Sequence, residues 1–331
     1  MPIVEVKDIT AHYITNVYGI KREVNAVDNV SLSINKNEIL GIAGESGCGK
    51  TTLLKVLFKM INPPLKILGG KVEYNLNNKK FDILTLSDEG FRHIRWRNAS
   101  YIPQGSMNVL NPVRRIKSTF RDFVGTHCRM GKREIDEMAL EHLNDLSLPP
   151  QVMDAYPHQL SGGMRQRVTI ALATILKPDL IFADEPTTAL DVIVQRVVIQ
   201  LMRKIQSEEK SSLLIVTHDM AIQANLTDRI AIMYAGKIIE EGKTKEIFKN
   251  PIHYYTQFLV GSLPKIGDKS HRISIPGSPP PLNNPPPGCR FHERCPEAEE
   301  HCKQEIPPLI DVGDGHKVAC FKCTANERVV V

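Results

Sequence analysis

The octet Gly44-Glu45-Ser46-Gly47-Cys48-Gly49-Lys50-Thr51, followed by Thr52, has the spacing of a loop that wraps phosphate. Its glycines let backbone N–H groups curl round an anion, and a helix N-terminus behind them adds positive potential. Lys50 is placed to bridge a β- and a γ-phosphate, and the Thr51 hydroxyl to bind Mg²⁺. Cys48 occupies a free position and reads as a small filler rather than a redox thiol. Farther along, the apolar run Leu180–Ala183 ends in Asp184 and Glu185. A carboxylate at a strand end can hold Mg²⁺, usually through water, so Asp184 takes that role. Glu185 is placed to orient and deprotonate an attacking water. Together these groups have the chemistry of phosphate binding and water attack on a phosphoryl group.

Two further clusters carry chemistry. Ser161, Gly162 and Gly163 precede a segment in which Val168, Ala171, Leu172, Ile175 and Leu176 keep helical spacing. A hydroxyl and two glycines at a helix N-terminus make a second anion site. One chain with two such sites points to a head-to-tail dimer. The other cluster is cysteine: Cys289, Cys295, Cys302, Cys320 and Cys323 all fall in the last 43 residues. In a reducing compartment disulfides are rare, so a metal centre is the expectation. Four thiolates suit iron–sulfur or zinc. Structural zinc sites draw on tight C-x₂₋₄-C pairs, and Cys320 with Cys323 is the one such pair. The wide spacings of Cys289, Cys295, Cys302 and Cys320 favour a 4Fe–4S cluster, with Zn²⁺ as the alternative. By spacing alone, Cys320 and Cys323 are equal candidates for the fourth ligand.

Leu160-Ser161-Gly162-Gly163-Met164 resembles the signature of ABC ATPases, which reads Leu-Ser-Gly-Gly-Gln in most members; Met164 is a departure common in the peptide-transporter branch. The resemblance implies an ATPase that uses ATP and Mg²⁺, with each nucleotide held between one subunit's phosphate loop and the other's signature. It makes Tyr13 the aromatic that stacks on adenine. Gln104, in Tyr-Ile-Pro-Gln, becomes the residue that reaches Mg²⁺ and the water. Asp191, closing Thr188-Ala189-Leu190-Asp191, lies in the loop that contacts the opposing subunit, and His218 bonds the γ-phosphate.

The resemblance runs to the end of the chain. Asn250-Pro251-Ile252-His253-Tyr254-Tyr255-Thr256 is similar to the stretch that opens the C-terminal region of oligopeptide and dipeptide transporter ATPases, with Tyr254 in place of the usual proline. The tail from Cys289 to Cys302 matches that subfamily's cysteine-bearing end, and Val318-Ala319-Cys320 makes Cys320 the fourth ligand. The partners implied are two integral-membrane permease subunits, a second and different ATPase subunit, and an extracytoplasmic peptide-binding protein acting indirectly. The implied place is the cytoplasmic face of the cell membrane. Because the solute never touches such a subunit, these residues do not name it. Di- and oligopeptides are the expectation, and nickel or oligosaccharides, carried by related importers, the alternative.

The elements that must position these residues are legible as patterns. Val30, Leu32 and Ile34 alternate as in a half-buried strand, and Glu38–Ala43 is a short apolar strand that feeds the phosphate loop. Leu53, Val56, Leu57 and Met60 share one helical face behind that loop. Two helical stripes follow, Ile116, Phe120, Phe123 and Val124, then Ile135, Met138, Ala139, His142, Leu143 and Leu146. Apolar strands are expected at Leu180–Ala183 and Leu213–Thr217, and a hairpin over Ile230–Gly242 turning at Ala235-Gly236. Pro276–Gly288 carries seven prolines in thirteen residues and reads as a semi-rigid extended spacer.

The expected fold class is α/β: an ABC-type P-loop ATPase domain over residues 1–250, its helical subdomain about 88–165, and a small Cys-rich extension over 251–331. Loss of the tail's metal is expected to loosen the tail and leave the ATP site largely intact. Among 331 residues, 42% are hydrophobic and 24% charged, as in an ordinary globular protein. The net charge of +5, with no basic stripe, is too mild to argue for nucleic acid as a partner. The N-terminal residues read as a strand rather than a signal peptide, and no apolar run approaches the ~20 residues of a membrane helix. A soluble ABC ATPase acting on nucleic acid is the competing class. Lys50 and Asp184 lie only 134 residues apart with no sustained heptads between them, which disfavours the coiled-coil members of that class.

Overall fold

In the computed structural model, residues 1–105, 109–263 and 275–322 are described. Strands β1 (Pro2–Val17) and β2 (Ile20–Asn35) form a long antiparallel hairpin. β3 (Ile39–Ala43) runs into the phosphate loop and α1 (Lys50–Leu57). β4 (Leu65–Leu76), β5 (Lys79–Asp82), the short α2 (Asp88–Arg92) and β6 (Ala99–Ile102) follow. Helices α3 (Ile116–His127), α4 (Lys132–Asp145) and α5 (Gly162–Thr174) lead to β7 (Leu180–Asp184), α6 (Val192–Glu209) and β8 (Ser212–Val216). After α7 (Met220–Leu226) come β9 (Arg229–Tyr234) and β10 (Lys237–Lys243), then α8 (Thr244–Lys249), α9 (Tyr254–Gly261) and two short strands, β11 (Ile310–Asp311) and β12 (Lys317–Val318).

The described strands make two sheets. One has the order β2-β1-β4-β5, the other β11-β12-β10-β9-β3-β8-β7-β6. Within the larger sheet β9, β3, β8, β7 and β6 are parallel. Strands covered on both faces have no solvent side to alternate toward, and β3, β7 and β8 are accordingly buried at every position. Ile42, Val216 and Asp184 fall in one row, so the carboxyl ends of β3, β8 and β7 lie side by side. β6 joins this edge through Ile102 opposite Ala183. α3 and α4 bury Ile116, Phe120, Val124, Ile135, Ala139 and Leu143 in one core shared with α5 and α6. These match the two stripes read above, whereas Met60 falls beyond the end of α1.

The hairpin β9–β10 forms as expected, turning through Ala235 (φ 44°) and Gly236 (φ 85°). The proline-rich stretch does not stand away from the ATPase domain. Asn25 N–H donates to the Leu282 carbonyl at 2.9 Å, and Leu282 packs into the core of β9, β10 and α9. β12 pairs with β10 through Glu240 and Val318, so the C-terminal strands widen the large sheet.

Candidate functional site

Four parallel strands deliver the candidate residues to one edge of the sheet, where open parallel sheets bind ligands. β3 leads to the phosphate loop, β6 to Gln104, β7 to Asp184 and Glu185, and β8 to His218. The loop lies hard against its surroundings. A Cβ on Gly49, whose φ is 110°, would sit 2.0 Å from the Ala26 carbonyl oxygen, and one on Gly44 would sit 2.1 Å from that of Met233. Only glycine fits either position. Buried Lys50 turns back into the loop, its Nζ donating to the carbonyls of Gly44 and Glu45 at 2.8 Å each. Cys48 is buried, and burial raises its thiol pKa, which suits an inert filler. Ser46 and Gly47 complete the curve between these anchors.

Thr51 Oγ1 donates to Asp184 Oδ1 at 3.0 Å, and Tyr101 Oη donates to Asp184 Oδ2 at 3.2 Å. Burial raises the Asp184 pKa, opposed by those two bonds. A hydroxyl and a carboxylate in contact are the hard oxygen donors that Mg²⁺ prefers, so the pair fits the ion. Beside it, Glu185 adopts a left-handed φ of 44°. Its carboxylate accepts from Gln104 Nε2 (3.0 Å) and Thr188 Oγ1 (2.8 Å), with His218 Nδ1 at 2.9 Å. Burial alone would raise its pKa, but the bonds to His218 and Thr188 outweigh it and leave the group below the usual carboxylate range. At neutral pH Glu185 is therefore an anion, ready to accept a proton.

Tyr13 reaches the same region, its Oη 3.2 Å from Thr52 Oγ1. The signature residues are elsewhere. Ser161 caps α5 by accepting from Met164 N–H at 3.3 Å, and Asp191 caps α6 by accepting from Val194 N–H at 2.9 Å. Gly162 begins α5, and Gly163 is packed against Val194, where a Cβ would approach to 2.6 Å. The structure thus brings Lys50, Thr51, Asp184, Glu185, Gln104 and His218 together, while the side chains of Ser161 and Asp191 serve their own helices.

The C-terminal region is in direct contact with the phosphate loop. Arg294 donates to both carboxylate oxygens of Glu45, at 2.8 and 3.1 Å, and the Glu45 N–H donates to Tyr255 Oη at 2.8 Å. Sequence reasoning missed Tyr101, Tyr255 and Arg294. All three stand inside stretches quoted above, Tyr101 in Tyr-Ile-Pro-Gln, Tyr255 in Asn250–Thr256 and Arg294 between Cys289 and Cys302, but nothing local ties them to the ATP site. Cys289, Cys295, Cys302 and Cys320 line one pocket with Phe291 and Tyr254. Burial, with the neighbouring thiols adding to it, pushes Cys289 up to about 11. Cys289, Cys295 and Cys302 are in no disulfide. Among the described residues no group of three or more Cys, His, Asp or Glu side chains is arranged to hold a metal ion, and Cys323 lies outside the described residues. The donor chemistry fits a thiolate-bound centre; the spacing found here does not form a coordination shell.

A parallel sheet that ends in a phosphate loop, with an acidic pair and histidine beside it, is the arrangement of a nucleoside-triphosphate hydrolase. The profile of the ABC transporter family matches residues 27–188, and that of the oligopeptide/dipeptide transporter C-terminal region matches residues 239–302. A dipeptide transport ATP-binding protein of Caldanaerobacter subterraneus is 42% identical over 321 residues, 96% of each chain. An oligopeptide transport ATP-binding protein of Bacillus subtilis is 38% identical over 325 residues, again 96% of each. Among solved structures, the dimeric ATP-binding cassette MJ0796 in a post-hydrolysis state with ADP and phosphate covers 73% of this chain and 98% of its own, at 29% identity and a TM-score of 0.62. The chain belongs to the ATP-binding proteins of ABC transporters, in the branch that carries the oligopeptide/dipeptide transporter C-terminal region. It is an ATPase that binds ATP with Mg²⁺.

Proposed function

We propose that this chain is the motor subunit of an importer of di- and oligopeptides, converting ATP binding and hydrolysis into movement of two permease subunits. The observation that carries the mechanism is the convergence of Gln104, Thr188 and His218 on the Glu185 carboxylate beside the phosphate loop. In this reading Lys50 and the loop N–H groups, from Gly44 to Thr52, bind the phosphates, and Tyr13 stacks on the adenine. Thr51 and Asp184, with Gln104, hold Mg²⁺, which neutralises charge on the phosphates. Glu185 takes the proton of the attacking water, and His218 bonds the γ-phosphate and keeps the Glu185 carboxylate oriented. Ser161, Gly162, Gly163 and Asp191 serve the nucleotide held by a second ATPase subunit. That subunit is a different chain, so the working unit is a heterodimer.

No described helix is long and apolar enough to cross a membrane. The proposed place is the cytoplasmic face of the cell membrane, held there by the permeases, with a peptide-binding protein on the far side. The subfamily's tail and the four thiols around one pocket support a 4Fe–4S cluster on Cys289, Cys295, Cys302 and Cys320, a staple for a segment with few large apolar residues. Affinity purification of the tagged chain from detergent-solubilised membranes tests the assembly. Two hydrophobic subunits and a second ATP-binding chain should co-purify. Recovery of the chain alone, or with nucleic acid, rejects the reading.

A further inference from the structure

Glu45 occupies a position of the phosphate loop that the motif leaves free, yet all three of its polar handles are taken. Its carbonyl accepts from Lys50 Nζ, its N–H donates to Tyr255 Oη, and its carboxylate accepts both ends of the Arg294 guanidinium. Two of these three partners come from the C-terminal region. Neither is a casual surface contact. Tyr255 is fully buried, and Arg294 has only 5% of its side chain exposed. Arg294 also donates to Tyr234 Oη at 3.1 Å and to the Pro276 carbonyl at 2.6 Å. The rings of Tyr234 and Tyr255 lie 4.6 Å apart, with Phe291 against both at 5.3 and 5.5 Å.

We propose that Tyr255 and Arg294 are positioning residues for ATP, acting through Glu45 to hold the phosphate loop in its binding shape. A loop that binds through backbone N–H groups gains affinity when those groups are ordered before the anion arrives. Here the order is imposed from outside the loop, by a helix start and a cysteine-bearing segment 210 and 249 residues beyond Glu45. The bidentate Arg294–Glu45 contact sets the direction of the side chain as well as its distance. Tyr255 sets the adjoining peptide plane. The C-terminal region is then part of the nucleotide site and not an appendage to it.

The test uses the full chain with its partner subunits. Tyr255→Phe removes the acceptor and keeps the ring. Arg294→Gln removes the charge, and Arg294→Lys keeps it without the fork. ATP affinity is read with a fluorescent ATP analogue, KM and kcat by phosphate release, and folding by the melting temperature. Loss of one such hydrogen bond should weaken ATP binding and raise KM by about three- to tenfold, with kcat within about twofold. Arg294→Lys should recover part of the loss. Glu45→Gln should weaken binding like Arg294→Gln, and the double variant should add little more, because both act through one contact. Unchanged ATP affinity in folded Tyr255→Phe and Arg294→Gln proteins overturns the proposal. So does full additivity of the Glu45 and Arg294 losses, or a fall in melting temperature with no change in affinity.

Discussion

Glu185→Gln isolates the role of one charge. The side chain accepts three hydrogen bonds or close polar contacts, from Gln104 at 3.0 Å, Thr188 at 2.8 Å and His218 at 2.9 Å. A carboxamide keeps the shape and one acceptor oxygen, but turns the other end into a donor. One of the three contacts then opposes donor to donor, a loss of about 1 kcal/mol in the resting site. The catalytic loss is larger. A positioned base contributes on the order of 10²–10⁴ in rate, which is ~3–5 kcal/mol of barrier. Turnover in the assembled complex at saturating ATP should therefore fall at least a hundredfold, by the same range. ATP binding, which rests on Lys50 and the loop, should stay within about fivefold, since the altered contact is worth so little. The ATP-bound closed dimer should accumulate, visible by size-exclusion chromatography. Lys50→Ala is the contrast: its charge faces the phosphates in the ground state, so binding itself should be lost. Glu185→Gln turnover within threefold of the parent would refute the assignment.

The remaining predictions concern the C-terminal region. Asp28 accepts from Arg290 at 2.6 Å and from Lys237 at 3.1 Å. Burial would raise its pKa, but Lys237 and Arg290 outweigh that and lower it below 3.8. A carboxylate depressed in the folded state stabilises above its unfolded pKa and loses that stability as pH falls through the folded value. Asp28→Asn should thus cost ~1–2 kcal/mol at pH 7 in denaturant titrations, and the gap should narrow as pH falls below the unfolded carboxylate range; a gap independent of pH would refute the sign. Anaerobic purification should give a brown protein absorbing near roughly 400 nm, with iron lost in Cys302→Ser. Equimolar zinc without iron in the metal analysis would overturn the cluster.

Features encoded over a few residues were legible without coordinates. The phosphate loop, the Asp184-Glu185 strand end, the paired helical stripes and the Ala235-Gly236 turn each depend on local periodicity or backbone freedom, which the chain displays directly. Gln104 and His218 needed a resemblance as well, because nothing near them in sequence says that they meet at Glu185. Their meeting follows from the order β3-β8-β7-β6, set by side-chain packing across the parallel sheet and by connections that return each strand in the same direction. The cysteine spacings suggested a metal chemistry; folding gathered four of those thiols round one pocket, but among the described residues no group of three is arranged to hold a metal ion. Tyr255 and Arg294 sit inside stretches that resemble the subfamily's C-terminal region, but nothing in either stretch says that they grip Glu45, more than two hundred residues earlier in the chain. The sequence determined which groups could bind and cleave a phosphate. Only the tertiary structure decided that the far end of the chain holds the loop that does so, because a contact between distant segments is a property of the packed sheet and not of either segment.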